Sequence, residues 1–358
     1  MKNSIPAERL HNQYITRASR QSPADLVAWL GAVQAQEYPA AKWGLGLRMR
    51  EGTTDTEIER ACDEGAILRT HVMRPTWHFV HAADIRWMLE LTAPRVHKAM
   101  GSYYRGLELE ATTLAKAAAT IERALRDGAL LTRAELGLHL HRAGLAAKGP
   151  RLALMTMYAE LEGLVCSGPR RGNQFTYALL ARRAPQARQL TRDEALAELT
   201  RRYFTSHGPA TVVDFVWWSG LLTADAKRGL EINRARSEVV GTRTYWTLNR
   251  SIKAVPERRT VYLLPIYDEY VVAYRDREAV PHASSSGHSP SLGSVTFQHA
   301  LVIDGQVAGT WRTSRTARAH AVNVIPLRRL TATDRRTIAV RVERYTRFLG
   351  TPVSFAFA

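Results

Sequence analysis

An α+β protein, mostly helical, with three tandem winged helix-turn-helix units and a strand-rich C-terminal region is what this chain predicts. Two observations carry that expectation. The order of two or three helices followed by a short strand pair recurs along the first 258 residues. The period of the apolar pattern then changes to alternation from about residue 259 onward. A third observation, the excess of Lys+Arg over Asp+Glu (50 against 33, net charge +17), points to a polyanionic partner.

The first unit is assigned to residues 1–92. Ser22-Pro23 reads as an N-cap followed by a first-turn proline, opening a helix through Leu26, Leu30 and Val33. Tyr38 precedes Pro39, which disfavours helical geometry there, so this helix is expected to stop near Gln36 or Glu37. A second helix follows from Pro39 to about Met49, and a third, TDTEIERACDEG, ends at Gly65. ILRTHVM (67–73) and TWHFVH (76–81) alternate as paired strands about a turn at Arg74-Pro75.

The second unit, 93–185, has LTRAELGLHLHRAG and GPRLALMTMYAELEGL as helices, with VCSGPRRGNQFTYALL as two strands around a basic turn. The third, 186–258, has TRDEALAELTRRYFTSHG, PATVVDFVWWSGL and LTADAKRGLEINR, then strands near 237–248. The remaining 259–358 carries three strand-rich stretches, TVYLLPIYDEYVVAY, FQHALVIDGQVAGTWR and RAHAVNVIPL. Asp304-Gly305 is a strong hairpin signal there. TATDRRTIAVRVERYTRFLG is a terminal amphipathic helix, and HASSSGHSPSLG (281–294) a polar loop.

Several function classes drop out on composition. No run approaches the roughly 18 apolar residues of a membrane span, and the N-terminal stretch has no apolar signal core. A cytoplasmic, nucleoid-associated protein without a membrane partner is the expectation. Cys62 and Cys166 are the two cysteines, too few for a disulfide framework or a Cys-based zinc site. His139 and His141, two apart on a helix, point to nearly opposite faces and do not suit a shared metal. No cofactor or metal is expected.

In a winged helix the second helix and the wing meet the duplex. Lys148, Arg151, Arg170 and Arg171 therefore stand as phosphate contacts, the last two at the apex of GPRRGNQ. Arg312, Arg315 and Arg318 extend the basic character into the C-terminal third. His78 and Thr76 share one face of their strand, Trp77 and Phe79 the other, and a buried, satisfied histidine is the plain reading of His78. Asp268-Glu269 offers adjacent carboxylates; as strand neighbours they would face opposite sides, so a buried Asp satisfying backbone or an arginine is expected.

Gln34 and Gln36 in VQAQEYPAAKW are the unusual pair. In a regular helix positions i and i+2 diverge by about 200°, so both amides converge on one cleft only where the helix unwinds. Glutamine is neutral and offers both donor and acceptor groups, suited to orienting water or holding developing charge. Read from spacing alone, the two residues are helix-end caps or solvent-facing polar groups.

VQAQEYPAAKWGLGLR, RTHVMRPTWHFVHAADIRWML, GLVCSGPRRGNQFTYALL, LLPIYDEYVVAYRDR and LVIDGQVAGTWR together resemble the AlkZ-like (AlkZ/YcaQ) DNA glycosylases, over nearly the whole chain and in order. The resemblance implies a C-shaped molecule with a basic channel. It makes Gln34 and Gln36 the catalytic pair, in the double-glutamine form of a Gln–apolar–Gln/Asp signature with Ala35 between. Trp43, Thr76 and His78 become candidates for the channel lining. The implied activity is hydrolysis of N7-alkylated purines from double-stranded DNA by a monomer, bulky adducts and interstrand crosslinks from DNA-reactive natural products included. A catalytically silent DNA-binding or regulatory protein of the same fold is the alternative.

Overall fold

The computed structural model describes residues 5–19, 22–249, 260–276, 297–315 and 320–357. Helix α1 (Ile5–Asn12) leads into α2 (Pro23–Leu30), where Ser22 and Asp25 complete a capping box ahead of Pro23. Gly31 ends α2 at φ 84°, with its N–H on the Ala28 carbonyl. The chain then enters β1 (Val33–Gln34). The helix expected to run to Gln36 or Glu37 therefore stops several residues earlier, because Gly31 supplies a backbone turn that other residues rarely adopt.

Helix α3 (Tyr38–Gly46) carries Pro39 in its first turn, and α4 (Asp55–Asp63) starts at a Thr54/Glu57 capping box. Strands β2 (Ile67–Val72) and β3 (Arg74–His81) form the hairpin. Its reversal falls on Met73 (φ 63°), and Pro75 lies inside β3, so the expected Arg74-Pro75 turn is displaced by a residue. The Met73 N–H donates to Thr92 Oγ1 at 3.1 Å, and a Cβ on Gly220 would stand 2.2 Å from the Met73 carbonyl oxygen, so the reversal is gripped from both sides. The sheet order is β1-β3-β2.

The long α5 (Ile85–Gly106) and α6 (Ala111–Leu125) have no counterpart in the sequence expectations. Helix α5 keeps Pro94 in its interior and passes through the 92/93 limit drawn between the first two units. Strand β4 (Leu131–Thr132), α7 (Arg133–Arg142), α8 (Gly149–Leu161), β5 (Val165–Ser167) and β6 (Thr176–Leu179) follow, with sheet order β4-β6-β5. A short α9 (Leu180–Arg183) precedes α10 (Arg192–Ser206), α11 (Val212–Ser219) and α12 (Thr223–Ile232). Strands β7 (Arg236–Val240) and β8 (Arg243–Thr247) form a two-stranded hairpin.

The C-terminal region begins with β9 (Val261–Leu264) and the one-turn α13 (Glu269–Val272). Strands β10 (His299–Ile303), β11 (Gln306–Arg315) and β12 (His320–Pro326), helix α14 (Ala332–Leu349) and β13 (Val353–Phe357) complete it. The five strands order as β13-β12-β11-β10-β9, antiparallel except for the parallel β12–β13 pair. Asp304 and Gly305 both take positive φ at the β10–β11 turn, as the Asp-Gly signal predicts. The 281–294 loop and Arg318 lie outside the described residues.

Apolar burial joins parts that are distant in sequence. Leu26, Leu30, Trp43 and Phe79 share one core with Leu264, Trp311 and Phe348 of the C-terminal region. Leu68, Val80 and Trp87 share a second with Phe204, Phe215 and Trp218. Residues of α5 to α8, among them Met100, Ile121 and Leu140, form the third. The C-terminal sheet thus backs the first unit directly.

Candidate active site

Strand β1 pairs with β3 so that Val33 faces Phe79 and Gln34 faces His78, and the Ala35 N–H donates to the Trp77 carbonyl at 2.7 Å. In extended backbone, residues i and i+2 share a face. Gln34 lies on β1 opposite His78, and Gln36 follows in a bend just past the strand, where its Oε1 still meets the Trp77 N–H of β3. The unwinding helix end expected from the sequence is not what brings them together. Thr76 and His78 of β3 share the Gln34 side, while Val33, Trp77 and Phe79 take the other.

Each amide oxygen is held. Gln34 Oε1 accepts from Arg74 Nη2 at 3.0 Å, and Gln36 Oε1 accepts from the Trp77 N–H at a looser 3.4 Å. Gln34 is 9% exposed, whereas Gln36 is half-buried and is the more accessible of the two. Arg74 Nη2 also lies 3.5 Å from His78 Nε2. His78 donates from Nδ1 to the Thr76 carbonyl at 2.9 Å, which leaves Nε2 as the acceptor. Burial, and next the Arg74 charge, push the His78 imidazole down to about 3, so it is neutral at physiological pH. His78 is fully buried beneath the amides, a satisfied support, and does not line an open channel. Thr76 is half-buried, with its hydroxyl lacking a hydrogen-bond partner.

Behind Gln34 stands Glu269, which the sequence does not single out for this place. Its carboxylate accepts from the Gln34 N–H at 2.8 Å and from Trp218 Nε1 at 3.0 Å, and lies 3.4 Å from His207 Nε2. Burial pushes this carboxyl up, but His207, the Gln34 N–H and the Arg74 charge together hold it below its ordinary value. It is a buried anion directly behind the glutamine edge. Its neighbour Asp268 N-caps α13 and takes Arg48 in a two-pronged pair at 2.7 and 2.8 Å, so the expected buried Asp–Arg arrangement is present. The two carboxylates do diverge, at a helix start, not along a strand.

Trp43 is not in this neighbourhood. It is 4% exposed, donates Nε1–H to the Leu263 carbonyl at 2.8 Å, and packs on Tyr345 and Phe348. The channel-lining expectation for Trp43 is corrected: it is a core residue that seats α3 on the C-terminal region.

The basic residues separate into two kinds. Lys148 is exposed at the start of α8, and Arg171 and Arg312 are exposed as well. Arg171 pairs with Glu135 at 2.7 Å. Arg151 is instead turned inward, donating to the Ala146 carbonyl at 2.9 Å and to the Leu107 carbonyl, and Arg170 packs over the Tyr38 and Phe175 rings with Glu59 at 3.7 Å. Both are expected phosphate contacts, and both are half-buried; the Arg170 side chain is 22% exposed against 52% for Arg171. Arg315 lies at the end of β11. The two wing arginines should therefore behave differently. Arg171→Ala is expected to weaken binding to damaged and undamaged duplex alike and to reduce the salt slope by about one. Arg170→Ala is expected to lower the thermal midpoint instead, and an unchanged midpoint with weakened DNA binding would reverse this assignment.

Buried anion, neutral imidazole and paired amides on one sheet edge suit the polarisation of a neutral nucleophile beside developing positive charge. A family model described as "DNA glycosylase AlkZ-like" matches residues 27–348, and the chain belongs to that family. A curated relative, the "Interstrand DNA cross-link repair glycosylase" of Streptomyces sahachiroi, is 24% identical over 323 residues, covering 85% of this chain and 86% of that protein. The solved structure of Streptomyces sahachiroi DNA glycosylase AlkZ superposes with a TM-score of 0.78 at 19% identity, covering 99% of each chain, so the fold is shared. Among the described residues no helix is long and apolar enough to cross a membrane, and no group of three or more His, Cys, Asp or Glu is placed to hold a metal.

Proposed function

We propose that this protein is a monofunctional DNA glycosylase that hydrolyses the N-glycosidic bond of N7-alkylated purines in double-stranded DNA, bulky adducts and interstrand crosslinks included. The observation that carries the proposal is that Gln34 on β1 and Gln36 just past it both place their amides against β3, with the Glu269 carboxylate behind Gln34. N7 alkylation leaves the purine cationic and a good leaving group, so little proton donation to the base is needed. The C1′–N9 bond breaks with its electron pair passing to the purine, positive charge develops on the sugar, and water oxygen bonds to C1′ with loss of a proton to solvent.

Within that sequence the residues divide the work. Gln36, more exposed and held by one long hydrogen bond, is the amide free to orient the attacking water. Gln34, fixed at its side chain by Arg74 and at its backbone by Glu269, is the preorganised partner. The buried carboxylate contributes a negative potential on the side where the sugar becomes cationic. The protein acts as a monomer of four parts whose first two share α5 across residue 92, with Lys148, Arg171, Arg312 and Arg315 as its phosphate contacts.

The test is release of 7-methylguanine from a defined duplex under single-turnover conditions, together with a salt titration of binding. Excision is expected, leaving an abasic site without strand cleavage. Affinity should fall with salt at a log–log slope of about −0.9 per phosphate neutralised. Salt-sensitive binding with no base release would leave a catalytically silent DNA-binding protein, and a flat salt response would remove DNA as the partner.

A further inference from the structure

Across the β2–β3 hairpin from the glutamines lies a cavity of about 490 Å³ between the first and second units. Its floor is Arg69, whose guanidinium sits 4.3 Å from the Trp77 ring and 4.6 Å from the Phe175 ring. Arg133 approaches the Trp77 ring from the solvent side at 5.5 Å, and Thr132 and Asn173 add polar edges. Burial lowers the Arg69 guanidinium to about 10, which still leaves it charged at neutral pH. Aromatic faces, two cations, the Glu160 carboxylate engaged by His71 Nδ1 and a few hydrogen-bonding groups in a space of this size fit one flat heteroaromatic ring.

The cavity is also wired to the glutamine edge. Arg69 Nε donates to the Ala35 carbonyl at 2.9 Å and its Nη2 lies 3.5 Å from the Gln36 carbonyl. The Trp77 N–H reaches Gln36 Oε1 on the other side. We infer that this cavity is a nucleobase pocket, and that Arg69 and Arg133 favour the purine once it has given up its positive charge. The identity of the ligand rests on the glycosylase function proposed above. A nucleotide at the Gln36 edge would set its base against Trp77 and its sugar beside the Gln36 amide.

The layout matches the direction in which charge moves. An N7-alkylpurine is cationic while bonded to the sugar and neutral once the C1′–N9 electron pair has passed to it. Two guanidinium groups against one carboxylate, itself engaged by His71, leave the cavity less favourable to the first state than to the second, whereas the Glu269 anion favours a cationic sugar. Such a site binds the later part of the reaction better than its start, which is what accelerates the chemical step.

The probes are free 7-methylguanine, which is neutral, and 7-methylguanosine, kept cationic at mildly acidic pH, measured by equilibrium dialysis against the intact protein. Saturable binding of the free base, tighter than that of the nucleoside, is expected. Trp77→Leu should weaken free-base binding about tenfold, within the range that stacking supplies. Arg133→Gln, at an exposed position, should narrow the base-to-nucleoside ratio by about two- to fivefold. Phe175→Ala gives a second test of the stacking wall where Trp77→Leu fails to fold. Absence of saturable binding in the wild type, or equal affinities across the variants, overturns the pocket. Protein that excises 7-methylguanine from duplex but binds no free base sinks this inference alone. Protein that binds the base but excises nothing sinks the glycosylase function and leaves the pocket standing.

Discussion

Gln36→Ala is expected to slow single-turnover excision of 7-methylguanine at least about tenfold while leaving duplex affinity and melting temperature nearly unchanged. Removing one preorganised polar group at a reacting centre costs about 10²–10³ in rate. The N7-alkylated base already leaves readily, so the lower part of that range or somewhat below it is expected. Gln36 is half-buried and its Oε1 contact to Trp77 N–H is long at 3.4 Å, so little folding energy is lost with it. Gln34→Ala should give a similar rate loss. It also strands Arg74, which donates to Gln34 Oε1 and whose guanidinium is pushed down by burial, so a modest stability loss accompanies it. The double variant should lose less than the product of the two, because residues acting on one water are not additive. Wild-type rates in both single variants would return the pair to the role of polar edge residues.

The largest stability effect is expected at Asp268. Its carboxylate holds Arg48 Nη1 and Nη2 at 2.7 and 2.8 Å, both side chains are almost fully buried, and its Oδ1 accepts the Tyr270 N–H at 2.9 Å. Asp268→Ala leaves the Arg48 cation buried with, among the described residues, Gly44 and Gln13 as its remaining hydrogen-bond partners, and removes the cap of α13. Breaking such a pair from one side costs about 3–5 kcal/mol. A urea unfolding curve should show it as a lower midpoint with little change in slope. Because α13 carries Glu269, and Glu269 carries the Gln34 backbone, excision should fall in the folded fraction as well. A loss below about 1 kcal/mol would mean that water or a rearranged Gln13 compensates the arginine.

Much of the fold is legible in local signals. Capping boxes at Ser22, Thr54, Thr191 and Thr331 start helices where the sequence predicts them, and Asp304-Gly305 turns the hairpin. Gly31 is the local signal whose weight the Tyr38-Pro39 boundary obscured: a glycine two residues before Val33 ends the helix, and that converts the glutamines from a helix tip into a strand edge. The catalytic candidates were legible through their motif. Their surroundings were not, because Arg74, Glu269 and Arg69 reach the glutamines by pairings that depend on tertiary placement. The 235-residue separation between Gln34 and Glu269 has no signature in a local window. Trp43 was misplaced for the converse reason: motif proximity says nothing of which face of α3 the C-terminal region covers.

That separation in sequence has a consequence for how the protein comes into being. Arg344 Nη2 donates to the Gly46 and Met49 carbonyls at 3.1 and 2.8 Å, and the Phe348 ring lies so close over Gly46 that a Cβ there would meet it at 2.4 Å. The N-terminal segment bearing the glutamines is therefore finished by a helix near the far end of the chain. On the ribosome, the first unit waits for most of the polypeptide before Glu269 and α14 can close behind it, and contacts of such long loop closure form late. Nascent chains that stop short of α14 would carry the glutamines without the support behind them. Assembly of the glutamine edge is thus tied to synthesis of the chain at least as far as α14.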